Sequence, residues 1–230
     1  MIKHIKKVVK AIIEESTRQE QPENSQEENQ NQDKKIVILD PSVLAEEVLM
    51  EEEPEPMNTI GLFCDVTEEK VAEVIHGLLY LEHLYANSKP EKRKPIEFYV
   101  STYGGSADDM FSLYDVMRNV RKENEIHTVG MGKVMSAGVL ILAAGTNGKR
   151  KIGKNCRVMI HSVLGANHGS LPNMINEMEA IEQLQEMYIK SLASETKMSK
   201  SQIKKMLERK VNVYLTAKEA VELGIADIII

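Results

Sequence analysis

Apolar residues in this chain recur with two spacings, and from residue 58 onward the two alternate. Thr59-Ile-Gly-Leu-Phe-Cys64 is a short, mostly apolar run that reads as a strand. Thr67-Glu-Glu follows as a helix cap, after which Val71, Val74, Ile75, Leu78, Leu79 and Leu81 return at helical spacing to about Ala86. Pro95–Ser101 predicts a second strand, and Ser106–Asn119 a second helix with Met110, Leu113, Tyr114 and Met117 turned inward. A third strand is expected over Glu125–Gly130, and a short buried helix over Ala137–Ala144. Lys151-Ile152 reads as a turn into the strand Arg157–His161. A long helix is expected over Leu171–Ala193, shorter ones over Lys200–Arg209 and Ala217–Leu223, and a terminal strand over Ala226–Ile230. Strands alternating with helices predict an α/β domain of βαβ crossovers on a largely parallel sheet.

Residues 1–57 follow different rules. Ile2, Ile5, Val8, Val9 and Ile12 share helical spacing among Lys3, Lys6, Lys7 and Lys10, a basic amphipathic segment suited to a partner, a membrane surface or a presequence. Glu14-Glu15 and the use of lysine weigh against the presequence. Gln19–Asp33 contains no aliphatic or aromatic residue, so ordering it would bury nothing, and disorder is expected. An aliphatic island over residues 34–49 reads as a weakly folded add-on or a conditional docking peptide, and Glu51-Glu-Glu-Pro54-Glu-Pro56 as a linker. The expected organisation is an N-terminal extension over 1–57 and one folded domain over 58–230.

Charge and composition remove several function classes. A formal net charge of −6 argues against nucleic acid as partner. No apolar run approaches the roughly 18 residues of a membrane span, and no secretory h-region opens the chain. Cys64 and Cys156 lie far apart without metal-ligand spacing, which predicts two buried thiols in a reduced, cytoplasmic protein. His76 and His83 share a helix face, but no carboxylate or cysteine completes a metal site, so no metal is expected. The methionines of the 171–190 helix (Met174, Met178, Met187) read as core or subunit-contact residues.

The candidate chemistry lies at the edges of buried elements. Gly132-Lys-Val-Met-Ser136-Ala-Gly138 precedes the run Val-Leu-Ile-Leu-Ala-Ala, and Val158-Met-Ile-His161 ends a strand. A serine hydroxyl and a histidine so placed suit nucleophile and general base, although a lone serine before a helix is commonly an N-cap and a lone strand-end histidine commonly structural. Ser101-Thr-Tyr-Gly104-Gly105-Ser106 adds a glycine pair at a strand-to-helix turn, whose amides can face a ligand and supply an oxyanion donor.

With these motifs, Ser136–Gly145, Gly148-Lys-Arg150, Asn155–His161 and Thr216–Asp227, residues from about 60 to 230 resemble the proteolytic subunit of the Clp protease. The resemblance implies a ClpP/crotonase-like spiral of repeated β-β-α units with a protruding handle helix from about Pro172. It implies Ser136 as nucleophile, His161 as base, and the Gly105 and Ala137 amides as the oxyanion hole. Gly165, Ala166, Asn167, His168 and Gly169 resemble a strand that pairs with the extended substrate. It further implies heptameric rings stacked as a homo-oligomeric tetradecamer, degrading unfolded polypeptides fed by an AAA+ unfoldase. No cofactor is expected: the chain has no Walker motif, so ATP belongs to the partner.

Three departures stand out. Tyr103 replaces a proline, and the turn before Ser136 reads as two residues longer, with Lys133 and Val134 in the added space. The family's aspartate falls on Asn212, which can hold the His161 ring but carries no charge to offset an imidazolium. Glu208, four residues earlier, is the alternative candidate for the acid. A weakly active or inactive structural subunit co-assembling with an active relative is therefore the alternative. An acyl-CoA enzyme of the crotonase type and a viral maturation peptidase are further readings.

Overall fold

Strand and helix alternate through the computed structural model, which describes residues 57–86, 93–166, 168–208 and 212–230. In chain order the elements are β1 (Thr59–Leu62), α1 (Glu68–Tyr85), β2 (Ile96–Thr102), α2 (Ala107–Val120), β3 (Ile126–Met135), α3 (Ala137–Ala143), β4 (Lys151–Ile152), β5 (Arg157–Ile160), α4 (Leu171–Glu195), α5 (Lys200–Leu207), β6 (Val213–Leu215), α6 (Ala217–Glu222) and β7 (Ile228–Ile229). The expectations for the N-terminal extension fall on residues 1–56, outside the described residues.

β1, β2, β3, β4 and β7 lie side by side in that order, each pair parallel. β3 is long enough to hold two partners on the edge away from β2: Val129 and Gly130 pair with β4, and Lys133–Met135 with β5. Between these, the β2 register slips from Val100↔Gly130 to Thr102↔Val134, so a bulge bends β3. β5 then takes β6 antiparallel. The sheet is thus an α/β, mostly parallel one. Three details differ from expectation. β3 runs five residues beyond Gly130, Lys151-Ile152 is a strand, and β6 is a strand the sequence pattern did not announce.

The core explains the elements. Ile96, Phe98, Val100 and Thr102 of β2 are buried and the residues between them half-buried, the two-residue period of a sheet with one covered face. α3 is buried all round, as a helix of only Ala, Gly and branched apolar residues must be to form. Each fully buried side chain such as Phe98, Leu140 or Ile141 contributes about 1.5–3 kcal/mol.

Polar clamps hold the end of α3. Arg150, 3% exposed, meets Asp227 through Nη2–Oδ1 at 2.7 Å and Nε–Oδ2 at 2.8 Å. It also donates Nη1 to the Ala143 carbonyl at 3.1 Å and to the Glu195 carbonyl. Arg121 reaches the Ala144 and Gly145 carbonyls and the Glu195 carboxylate. Burial alone would push the Asp227 carboxyl up, but hydrogen bonds from the Arg150 side chain and amide and from the Gly148 amide outweigh it and hold the group below its usual range.

α4 behaves otherwise. Its first ten residues are exposed, including Leu171, Met174, Ile175 and Met178, and only Tyr188, Ile189 and Leu192 are buried. Met174, Met178 and Met187 are therefore not core residues, and the helix leaves the domain as an apolar arm.

Candidate active site

The chain passes from β3 into α3 through a single residue, Ser136, at φ 54° and ψ −122°. Among the described residues it is the one non-glycine with positive φ. That conformation belongs to the first central position of a type II′ turn, where glycine is favoured, and holding serine there costs on the order of 1–3 kcal/mol. The Ser136 amide donates to the Met159 carbonyl at 2.8 Å. Its own carbonyl accepts from the Val139 amide at 3.0 Å and, at 3.5 Å, from the Tyr188 hydroxyl. Lys133 and Val134 are not in an enlarged turn. They pair in register with Arg157 and Val158, and the length expected as a loop is taken up by the bulge against β2.

Although Ser136 holds the N-cap position of α3, its side chain makes no capping bond. Thr67, Ser106, Ser199 and Thr216 each accept a backbone N–H at their own helix starts. The Ser136 hydroxyl is left for other use.

Thr102 runs into the glycine pair, and the structure separates the two glycines. The Gly104 amide donates to Thr102 Oγ1 at 3.0 Å. A parallel bridge to Val66 uses the Gly104 carbonyl and the Ser106 amide, so it leaves the Gly105 amide outside. At φ 152° a Cβ on Gly105 would lie 2.2 Å from the Val66 carbonyl oxygen, so only glycine fits. The Ala137 amide lies in the first turn of α3 and has no helical acceptor.

Gly105, Ser136, Ala137 and His161 line one cavity of about 440 Å³. Tyr103, Met110, Leu164 and Tyr188 give it apolar and aromatic walls. His161 is half-buried, one residue beyond β5. Among the described residues neither its ring nor Ser136 Oγ makes a hydrogen bond, to each other or elsewhere. Asn212 is exposed and precedes β6. The β5–β6 register ends at Ile160↔Val213, so His161 and Asn212 are the residues that leave its end on the two strands. Glu208, at the C-terminal end of α5, is exposed and does not line the cavity.

Gly165, Ala166, His168 and Gly169 are exposed and belong to no strand, while Asn167 lies outside the described residues. The strand expected over this segment is not formed in the single chain, because a ladder needs a partner and none is paired to it. Gly165 instead lies close against Ile181 of α4, where a Cβ would come within 2.2 Å of the isoleucine side chain.

Tyr188 is a cavity residue that sequence reasoning missed. Its signal was a polar-tipped aromatic at the buried end of an otherwise exposed helix, visible only once the burial of α4 is known. Burial pushes its hydroxyl well above the usual tyrosine range, so it stays protonated and donates. Cys156 is buried and raised to about 11, which keeps the thiol inert, whereas Cys64 is exposed, contrary to the expectation of two buried thiols. No group of metal-ligating side chains occurs among the described residues, and no described helix is long and apolar enough to cross a membrane.

A free hydroxyl, an imidazole and two spare amides at one pocket are the parts that acyl transfer requires. The family model described as Clp protease matches residues 56–230. The ATP-dependent Clp protease proteolytic subunit 1 of Prochlorococcus marinus is 33% identical over 165 residues, spanning 72% of this chain and 80% of that protein. The proteolytic subunit 2 of Corynebacterium jeikeium is 32% identical over 169 residues, 73% of this chain and 76% of its own length. The corresponding subunit 2 of Parasynechococcus marenigrum is 29% identical over 165 residues, 72% and 79%.

Proposed function

The chain belongs to the Clp protease family, and from that premise we propose that it is a serine endopeptidase acting through Ser136 and His161. One observation carries the reading: the Ser136 hydroxyl is released from capping and faces the same cavity as the His161 ring and two unengaged amides. Ser136 Oγ attacks the scissile carbonyl carbon as His161 takes its proton. The Gly105 and Ala137 amides receive the oxyanion, a contribution of about 2.7–4 kcal/mol per donor in related sites. His161 returns the proton to the leaving amine, and water then hydrolyses the acyl-enzyme by the same route.

Asn212 takes the acid position. It makes no hydrogen bond to the His161 ring in the free chain, and its amide would supply no countercharge even when closed onto the ring, so turnover is slow. The exposed segment Gly165–Gly169 offers its backbone to an extended substrate, and binding through main-chain bonds reads many sequences alike. The apolar arm of α4 is the surface by which copies of the chain form stacked rings, and an ATP-driven unfoldase supplies unfolded polypeptide, since the relatives are named as ATP-dependent.

A second reading has its own support. His161 and Ser136 share no hydrogen bond, and Asn212 lacks charge, as expected of a weakly active subunit that assembles with an active relative. Free catalytic groups often tighten only with substrate present. Hydrolysis of a fluorogenic peptide by the purified, assembled chain separates the two. The endopeptidase reading expects slow turnover abolished by Ser136→Ala. No turnover above the Ser136→Ala background, at any pH from 6 to 9, leaves only the structural subunit.

A further inference from the structure

Two cations stand side by side near the cavity without a counterion. Lys133 of β3 and Arg157 of β5 are register partners, so their side chains leave the same face of adjacent strands whose backbones lie about 4.8 Å apart. Among the described residues no carboxylate pairs with either. Each lies instead over a tyrosine: Lys133 Nζ is 4.7 Å from the Tyr103 ring centre, and the Arg157 guanidinium 4.9 Å from that of Tyr214. Both rings are open to solvent, Tyr103 at 64% and Tyr214 at 50% exposure. A chain with six more negative than positive charges has concentrated two cations here and left them uncompensated.

The register places this row relative to the chemistry. Tyr214 is the partner of Met159, so Arg157, Met159 and Tyr214 share a face. His161 continues the alternation on that face, four residues beyond Arg157, or about 13 Å along the strand. Tyr103 belongs to both features, lining the cavity and stacking on Lys133. An extended polypeptide covers the same distance in about four residues.

We propose that Lys133 and Arg157, framed by Tyr103 and Tyr214, form a subsite for an acidic side chain of the polypeptide substrate, about four residues from the bond to be cut. An acidic side chain laid along this face meets a cation that has no carboxylate of its own, and the tyrosine faces on the two outer sides hold the cations in place for it. The occupant is a Glu or Asp of an extended chain because charge complementarity demands an anion and the row lies one peptide length from the cavity. This inference rests on the peptidase reading, but its test does not require turnover.

Dye-labelled decapeptides that differ by one Glu or Gln, placed three to five residues to either side of the expected cut, are titrated against the assembled full chain carrying Ser136→Ala, and binding is read by fluorescence anisotropy. At one placement Glu should bind about five-fold tighter than Gln at low salt, and the preference should vanish near 1 M salt, where exposed ion pairs are screened. Lys133→Met with Arg157→Met should abolish it, and Arg157→Lys should keep most of it. If the double variant does not assemble, the salt titration and Arg157→Lys carry the test unaided. Equal binding of Glu and Gln at every placement overturns the proposal, as does a Glu preference that survives high salt or the loss of both cations. A preference seen without hydrolysis by the unmutated chain supports the subsite and overturns the peptidase reading alone.

Discussion

The two halves of the candidate site are held very differently. On the nucleophile side, Ser136 is wedged between a central strand and a wholly buried helix, its amide and carbonyl both bonded, and the far end of that helix is tied down by Arg150 and Arg121. On the base side, His161 follows a four-residue strand whose outer partner, β6, has three residues, and Asn212 is exposed. One half is preorganised by the core, while the other depends on an edge pairing. A strained serine needs such support to keep its geometry, whereas an imidazole must move between accepting and returning a proton. Under the proposed mechanism the rate is therefore decided on the weaker side, where charge is also missing.

The largest effect expected comes from the preorganised half. Ser136→Ala should lower peptide turnover by about 10⁴-fold or more while leaving the melting temperature nearly unchanged, because alanine keeps the Cβ and the same strained turn and the lost hydroxyl makes no hydrogen bond. Kinetics and calorimetry on the same sample check both statements.

Next in size is the clamp. Arg150→Met removes the guanidinium from Asp227, which keeps the Gly148 and residue-150 amides, and should cost about 1.5–3 kcal/mol of stability, read from denaturant unfolding. The pH dependence has a definite sign. Asp227 is held below its ordinary value near 3.8 when folded, so its contribution is present above that value and is lost as pH falls through the folded pKa. Unfolding free energy should therefore drop more steeply below about pH 4 in the native sequence than in Asp227→Asn.

On the base side, Asn212→Asp restores the countercharge and should raise kcat about ten- to a hundred-fold, a part of the roughly 10⁴ lost by the reverse change in an aspartate triad. A sharp fall instead would show that the site is fitted to the amide. The smallest effect is that of Tyr188→Phe, which removes the hydroxyl bonded to the Ser136 carbonyl. It should cost about 1 kcal/mol, seen as a few-fold loss in kcat with KM unchanged.

What could be read from the sequence follows the same division. Ser136, His161 and the glycine pair were legible because apolar runs end at them abruptly, and β2, α1 and α2 because their periodicity is long. β6 was not legible, since three residues show no period, and its pairing with β5 is a long-range choice. Lys133 and Val134 count as added turn residues when set beside the family's shorter turn, yet β5 supplies a ladder that takes them into β3. Tyr188 enters the cavity from a helix that is exposed for most of its length, which local pattern cannot indicate.

The most direct measurement is intact and peptide mass spectrometry of the assembled chain after treatment with a fluorophosphonate, alongside His161→Ala. The account predicts one adduct per chain, on Ser136, formed slowly and suppressed in His161→Ala. An adduct elsewhere, or none on Ser136 in an assembled particle over many hours, would contradict it.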